Sequence, residues 1–266
     1  MRFVNVYRAT LPHDMRIERP LIFFADLHIS DRSRGDDFAP HEKVFRQTLA
    51  ALPDEAQIYF LGDTFDDIEL SPIPGSGFVS QIKPAYLDLL DEINSRRATY
   101  VVGNHDLFLD MCPHLCPRVV RAGLEVARHG GILAEHGHEA DPANRGSGWF
   151  GRAVSLVNGA AERLFGWQLD DAYAELRAEH AAWRDAFLAG ATPSVMPPRK
   201  VNLDTYRDYA ERRLTEAHAD VFIFGHTHRM SMIEEPGRLI VNVPSWTCHT
   251  HLCIEGCYAE LRRSTA

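Results

Sequence analysis

Five short, largely apolar runs recur along the chain, at residues 21–24, 58–61, 99–102, 132–134 and 221–224. Two residues after the end of each run stands an Asp, Asn or His. Continuous apolar runs of this length, bounded by turn residues, are typical of strands buried on both faces. The pattern therefore predicts five buried strands whose carboxyl ends carry polar side chains.

Helix-like stretches separate the first of these strands. About residues 40–52 and 78–94 carry apolar residues at three- and four-residue spacing, which is the period of an amphipathic helix. Strands that alternate with helices form mostly parallel sheets, and ligands bind such sheets at the carboxyl ends of the strands. We therefore expect an α/β fold in which the polar residues after the strands form one site.

Residues 141–219 break this rhythm, because they show helical patterns at 160–165, 172–188 and 205–217 and no convincing strand. We interpret this segment as a helical cap inserted into a core formed by residues 1–140 and 220–266. Short β-like runs at 230–234, 239–243 and 258–261 predict further strands in the second part of the core.

The composition favours a globular protein and argues against a membrane-spanning or broadly nucleic-acid-binding one. The chain has 266 residues with 45% apolar and 24% charged side chains, as expected for one large globular domain with an insertion. Its net charge of −9 argues against a broad nucleic-acid footprint, but a metal centre would still allow a phosphate substrate. No run approaches the ~20 apolar residues that cross a bilayer, and no signal sequence is evident. We expect a cytoplasmic location; the oligomeric state is not indicated.

The polar residues after the strands form five motifs rich in imidazole and carboxylate. In chain order they are Asp26-Leu27-His28, Gly62-Asp63, Gly103-Asn104-His105-Asp106, His136-Gly137-His138 and Gly225-His226-Thr227-His228. The first four motifs, taken singly, are typical of ordinary turns, and Gly225-His226-Thr227-His228 is the strongest single signal of a metal site. The combination of all five suits a pair of divalent ions. Two such ions neutralise phosphoryl oxygens and generate hydroxide near neutral pH. Mixed oxygen and imidazole ligands favour manganese, iron or zinc.

The five motifs together resemble the calcineurin-like metallophosphoesterase family, whose pattern runs D-x-H, G-D, G-N-H-D or G-N-H-E, H and G-H-x-H. The resemblance covers about residues 20–140 and 220–246, and it implies a four-layer α/β/β/α sandwich with the helical segment inserted as a cap. It further implies two divalent metal ions, Mn, Fe or Zn, and a bridging carboxylate. The implied ligands of the first ion are Asp26, His28 and His228, those of the second are Asn104, His136 and His226, and Asp63 bridges the two.

The resemblance also implies a mechanism in which a metal-bridging hydroxide attacks phosphorus directly. His105 would stabilise the transition state or protonate the leaving oxygen, and Asp106 would orient His105. Asp66 and Asp67, which follow the bridging residue, either contact metal-bound histidines or begin a solvated helix. The segment 242–246 carries Pro244 where family members often have Gly, which puts the geometry of that turn in doubt.

Substrate contacts have more than one interpretation. Arg145, Arg152 and Arg229 are candidates to clamp a substrate phosphate, although pairing with local carboxylates explains them as well. His138 faces either the substrate or solvent. We include Arg145, Arg229 and His138 among the predicted substrate-binding residues.

The cap suggests one particular substrate class. Its position resembles that in the UDP-2,3-diacylglucosamine hydrolases, in which a helical insertion receives acyl chains. Aromatic and aliphatic cap residues would line the groove for a lipid-nucleotide substrate, or form the cap's own core. Those hydrolases usually carry Arg where this chain has His105, which counts against the analogy.

A different class of function is a binding scaffold that keeps the fold without catalysis. In a scaffold that has lost activity, we expect some of the metal ligands or the acid histidine to be replaced by other residues. Every expected ligand and His105 are present in the sequence, which favours an enzyme.

The five cysteines are expected to be reduced thiols. Cys248, Cys253 and Cys257, with His249 and His251 among them, match no familiar zinc spacing. We favour buried thiols in C-terminal strands over a zinc site there.

Overall fold

The structure is a computed structural model that describes residues 2–112, 115–116, 118–127, 130–140 and 203–265. Within these ranges the chain forms two β-sheets, one of seven strands and one of five. Among the described residues, no helix is long and apolar enough to cross a membrane.

The seven-stranded sheet has the strand order β1-β12-β11-β2-β3-β4-β5. Strands β2 to β5 run parallel, and β1, β11 and β12 extend the sheet by antiparallel pairing. The strand bounds are β1 Arg2–Thr10, β2 Ile17–Phe24, β3 Gln57–Leu61, β4 Thr99–Val101, β5 Val119–Val120, β11 Thr250–Gly256 and β12 Tyr258–Thr265.

The five-stranded sheet has the order β6-β7-β8-β10-β9. Its three central strands run parallel, and the two edge strands are antiparallel to their neighbours. The bounds are β6 Gly123–Ala127, β7 Gly130–Ala134, β8 Val221–Phe224, β9 Ser231–Glu235 and β10 Arg238–Asn242.

Helices cover the outer faces of both sheets. They are α1 Glu42–Ala51, α2 Asp67–Leu70, α3 Lys83–Ala85, α4 Leu87–Ser95, α5 Phe108–Met111 and α6 Leu203–Ala217. A π-helical turn spans Phe78–Ile82, and 3-10 turns span Pro12–Asp14, Ala39–His41, His138–Ala140 and Trp246–Cys248.

Strand alternation produces the layers. Successive side chains of a strand point to opposite faces of its sheet. In β2, Ile22 and Phe24 pack under the helices of the first sheet, whereas Leu21 and Phe23 pack between the two sheets. On the far face of the second sheet, Phe222 packs against α6. The predicted α/β fold class is confirmed, with helices outside and two sheets within.

All five predicted buried strands are present, and the β-like runs after residue 224 form β9, β10 and β12. Strands β1, β5, β6 and β11 were not predicted. β1 is mostly exposed, so it has no continuous apolar run, and β11 buries the polar residues Thr250 and His251, which hide its strand pattern. Burial of polar side chains is decided by tertiary packing and is invisible to an apolar pattern.

The helix-like stretch predicted at about residues 78–94 is helical but interrupted. The segment divides into the π-helical turn, α3 and α4, with a break at Tyr86, whose backbone leaves helical geometry at φ −128° and ψ 27°. Pro84 stands in the first turn of α3, where proline is tolerated because its missing N–H would be unpaired there in any case.

Helix α6 lies in the segment that the sequence assigned to the cap. Tyr206, Tyr209, Ala210 and Leu214 are buried on the outer face of the second sheet, so α6 supplies the outer layer there. Residues 141–202, including the other two predicted cap helices, lie outside the described residues. The division of the chain into core and cap stays a prediction.

Candidate metal centre

The strand-end motifs of both sheets meet at one edge of the sandwich. Asp26 follows β2, Asp63 follows β3, and Asn104 follows β4 in the first sheet. His136 follows β7 and His226 follows β8 in the second sheet. Because these strands are parallel within each sheet, their carboxyl ends bring residues from distant parts of the chain together.

Five of the seven predicted ligands have left-handed backbone conformations. The φ angles are 50° at Asp26, 53° at His28, 46° at Asp63, 67° at His226 and 55° at His228. Each such conformation costs a non-glycine residue on the order of 1–3 kcal/mol and persists only when surrounding structure enforces it. The backbone at this edge of the sandwich is therefore strained, and the strained conformations set the directions of the ligand side chains.

Backbone contacts between adjacent loops hold these conformations. The N–H of Asp26 donates to the carbonyl of Gly62 at 3.3 Å, and the N–H of His28 donates to that of Asp63 at 3.0 Å. Gly103 allows the loops to pack closely, because a Cβ there would lie 2.2 Å from Asp63 Oδ1. A side chain at this position would displace the central carboxylate.

The first candidate ligand group comprises Asp26, His28 and His228, whose ligand atoms lie within 4.8 Å of one another. The Nε2 atoms of His28 and His228 are 3.3 Å apart, and His228 Nε2 lies 3.7 Å from Asp26 Oδ1. The second group comprises Asp63, His136 and His226.

Asn104 joins the second group through His136. His136 Nε2 lies 3.1 Å from Asp63 Oδ2 and 3.1 Å from Asn104 Oδ1. Its other ring nitrogen, Nδ1, contacts the carbonyl of Leu61 at 2.6 Å, which fixes the orientation of the ring. A ligating histidine is characteristically held in this way by its second nitrogen.

The donor set suits divalent transition metals. Imidazole nitrogens and carboxylate oxygens from opposite sheets face one another within 4.8 Å, which is close enough for them to share an ion. All seven predicted ligands are thus brought to one edge, and among the described residues every group of three or more His, Cys, Asp or Glu side chains that could hold a metal lies there. The identity and number of the ions stay predictions.

His105 contacts a carboxylate that the sequence left ambiguous. His105 Nδ1 lies 3.0 Å from Asp66 Oδ1, and the same oxygen lies 2.7 Å from His28 Nδ1. Asp66 is buried, so it is a shared partner of two histidines and not part of a solvated helix start. Asp67 is also buried, and its carboxylate accepts the backbone N–H groups of Gly75 and Phe78.

The predicted role of Asp106 in orienting His105 is wrong. The Asp106 carboxylate accepts the backbone N–H of Gly103 at 2.7 Å and that of Thr64 at 2.8 Å. It therefore ties the loop after β4 to the loop after β3. The orienting contact comes from Asp66, which follows a different strand.

Electrostatics reflect this concentration of charge. Burial lowers the pKa of His105, but the charge of Asp63 and the hydrogen bond with Asp66 outweigh it and raise the pKa to about 10. At Asp106, burial and the nearby charge of Asp63 raise the pKa to about 7. At His138, burial and the charge of His136 lower the pKa to about 4.

The turn that contains Pro244 still supports the site from behind. Ser245 Oγ donates to the carbonyl of Asp26 at 2.9 Å, and the N–H of Trp246 donates to the carbonyl of Ala25 at 3.1 Å. Asn242 Nδ2 contacts Thr227 Oγ1 in the last motif. The proline therefore does not prevent this turn from packing against the first ligand.

The structure describes only two of the three predicted substrate-binding residues, His138 and Arg229. The ring of His138 lies 5.3 Å from that of His136 and 6.4 Å from that of His226, so His138 is part of the centre's wall. Arg229 is exposed beside the last motif. Arg145, Arg152 and the aromatic cap residues proposed to line an acyl groove lie outside the described residues.

Two neighbours of the centre were missed by the sequence reasoning. Glu69 Oε1 lies 3.9 Å from His105 Nδ1, and the ring of Tyr206 lies 6.4 Å from that of His226. The sequence contains a weak indication that Glu69 lies near the site, because Glu69 follows Asp66 by three residues. It contains no such indication for Tyr206, because Tyr206 belongs to α6 and reaches the site only through packing on the second sheet.

The C-terminal cysteines do not form a cluster. All five cysteines are free, and Cys248 is exposed whereas Cys253 is buried. His251 is buried with neither ring nitrogen in a hydrogen bond. The expectation of free thiols holds, and that of uniformly buried ones does not.

This fold and site define the class of metallophosphoesterase-fold proteins, with a His- and Asp-rich centre at the strand ends of a two-sheet sandwich. The chain belongs to the calcineurin-like phosphoesterase family, whose model matches residues 19–230.

Solved structures resemble the chain at the level of the fold alone. An archaeal phosphodiesterase is 11% identical over 91% of this chain and 99% of its own, with a TM-score of 0.43. Vps29 from Entamoeba histolytica, in complex with zinc, is 13% identical over 89% of this chain and 85% of its own, with a TM-score of 0.43. A predicted phosphoesterase from Streptococcus pneumoniae is 14% identical over 90% of this chain and 84% of its own, with a TM-score of 0.37. A comparison with curated proteins finds no match.

Proposed function

We propose that the protein is a hydrolase of phosphate esters that works with two divalent metal ions, Mn, Fe or Zn. The observation that carries the proposal is the convergence of the two ligand groups, one around Asp26 and one around His136, at a single edge of the sandwich. Asp63 is the proposed bridge, because its carboxylate lies 3.1 Å from His136 of the second group and its backbone carbonyl accepts the N–H of His28 of the first.

When bound, the ions would supply positive charge to the phosphoryl oxygens and lower the pKa of the attacking water. The protein would supply geometry. Asp66 holds the Nδ1 side of both His28 and His105, which leaves the Nε2 atom of each ring for the centre. Correct placement of reacting groups accounts for a large part of the rate enhancement of enzymes.

His105 is the proposed general acid. With Nδ1 held by Asp66, its Nε2–H is the atom left to donate a proton to the leaving oxygen of the ester. The P–O bond to the leaving group breaks, and the proton prevents release of a free alkoxide. His138, in the wall of the centre, and the exposed Arg229 are proposed to contact substrate oxygens.

The substrate class within phosphate esters follows from a direct assay. The purified full chain, stripped with a chelator and reloaded with manganese, should hydrolyse p-nitrophenyl phosphate or bis-p-nitrophenyl phosphate, and the stripped protein should not. Elemental analysis should find two metal equivalents per chain. Absence of both metal and turnover after loading would favour a binding scaffold instead.

The same assay with an acylated sugar nucleotide tests the lipid-nucleotide pyrophosphatase alternative. Preference for that substrate over both nitrophenyl esters would identify a pyrophosphatase. His105→Ala is the matched control, since it removes the proposed acid and leaves every proposed ligand in place.

A further inference from the structure

A second pair of histidines is in contact outside the candidate metal centre. His41 Nδ1 lies 2.8 Å from His249 Nε2, although the two residues are 208 positions apart in the chain. His41 ends the 3-10 turn before α1, and His249 directly follows the 3-10 turn Trp246–Cys248. Both residues are partly exposed, so an ion from solvent can reach them.

The geometry of this pair matches that of the histidine pairs inside the centre. The rings of His41 and His249 have centroids 4.9 Å apart and planes at 70°. The corresponding values are 5.2 Å and 66° for His28 with His228, and 5.0 Å and 74° for His136 with His226. The pair outside the centre is thus arranged like the two pairs that we propose as metal ligands.

Both backbones are held in place. The N–H of His41 donates to the carbonyl of Phe38 at 2.8 Å, and that of His249 donates to the carbonyl of Trp246 at 2.6 Å. The carbonyl of His249 also accepts the N–H of Ser264 at 2.8 Å. His249 adopts a left-handed φ of 52°, a conformation that non-glycine residues rarely take. The two imidazoles are therefore presented to each other by fixed turns.

We propose that His41 and His249 form a further metal site, distinct from the strand-end centre, that binds Zn²⁺ with water molecules completing the coordination. Two nitrogens bound to one tetrahedral zinc at ~2.0 Å are about 3.3 Å apart, so the pair has to open only by a few tenths of an ångström. Imidazole ligands without a carboxylate favour zinc and copper over manganese or magnesium.

Zinc counting tests the site directly. The full chain is dialysed to equilibrium against Zn²⁺, and bound zinc per chain is measured by elemental analysis. His41→Ala and His249→Asn should each bind one equivalent less than the unaltered chain, and the double variant should also lose only one. Asparagine tolerates the left-handed backbone at position 249, so this variant preserves the turn.

His218→Asn is the matched control, because His218 is exposed and has a left-handed φ of 53° but contacts no second histidine in the described structure. It should lose no zinc. Unchanged zinc content in both pair variants, or loss of two equivalents in the double variant, would overturn the site. The result is a difference from the unaltered chain, so it holds whether or not the strand-end centre binds two ions.

Discussion

Buried histidines occupy two contrasting regions of this molecule. At the strand-end centre, His28 faces Asp66, whose charge outweighs burial and raises the pKa of His28 well above its usual value. In β11, His251 lies between the rings of Phe3 and Phe24, and burial with the charge of Arg262 lowers its pKa to about 3. The same side chain is held toward the charged form in one region and the neutral form in the other.

This difference in pKa reflects different surroundings, polar and strained at the centre and apolar around His251. The centre concentrates carboxylates, imidazoles and left-handed backbone at one edge, an arrangement that costs stability and fits the proposed binding of metal ions. The environment of His251 is an ordinary apolar layer in which both ring nitrogens lack a hydrogen bond. Replacing residues in the centre should therefore abolish function, and replacing His251 should alter stability alone.

The largest expected effect is that of Asp63→Asn. The carboxylate of Asp63 lies 3.1 Å from His136 Nε2 and accepts the N–H of His105, so it connects the second proposed ligand group with the proposed acid. We expect loss of two-metal occupancy and a fall of turnover to the level of the metal-free protein. Elemental analysis and the nitrophenyl ester assay measure both. Retention of two tightly bound ions would show that Asp63 is not the bridge.

His105→Ala should have the next largest effect. General acid catalysis contributes about 10²–10⁴-fold to rate, so turnover should fall within that range. Metal content should remain at the level of the unaltered chain, because His105 is not a proposed ligand. An unchanged rate with the p-nitrophenyl esters would refute its role only if an ester with a more basic leaving group were also unaffected, since such an ester depends more on the acid.

Asp66→Asn should act through its two histidine partners. Removing an outer partner of a metal ligand typically costs about 10–100-fold in metal affinity or activity. We expect a loss of that size, with reduced metal affinity as well as reduced turnover, because Asp66 contacts both His28 and His105. Wild-type metal affinity combined with the kinetics of His105→Ala would show that Asp66 acts through His105 alone.

His251→Leu should have the smallest effect of the four variants, and it should improve the protein by raising its stability. Two unpaired buried ring nitrogens are removed, so stability at pH 7 should rise by about 1–3 kcal/mol, as measured by denaturant unfolding of the metal-free chain. Activity should be unchanged. A fall in stability would show that packing of the imidazole outweighs its missing hydrogen bonds.

The same variant has a defined pH dependence. The unfolded chain takes up a proton at His251 below about pH 6.5, whereas the folded chain does so only at about pH 3. Between these values His251 lowers the stability by about 1.4 kcal/mol per pH unit as the pH falls. The gain from His251→Leu should therefore increase on acidification, and His218→Asn, which removes an exposed histidine, is the control.

The sequence predicted much of the fold and many of the residues of the site. The five buried strands follow from continuous apolar runs such as 221–224, and the predicted ligands lie two to four residues beyond these runs. The helix-like pattern over 78–94 was also correct, except at the buried Tyr86, where the backbone leaves helical geometry. Strand β11 was missed because its buried face includes a histidine.

The sequence by itself determined which residue types stand at the strand ends, because strand pattern and motif spacing are local properties of the chain. Only the tertiary structure decided their partners: Asp66 and not Asp106 lies beside His105, and His41 meets His249 across 208 positions. Hydrogen-bond partners depend on how the loops of two sheets pack against each other. No periodicity along the chain encodes that packing.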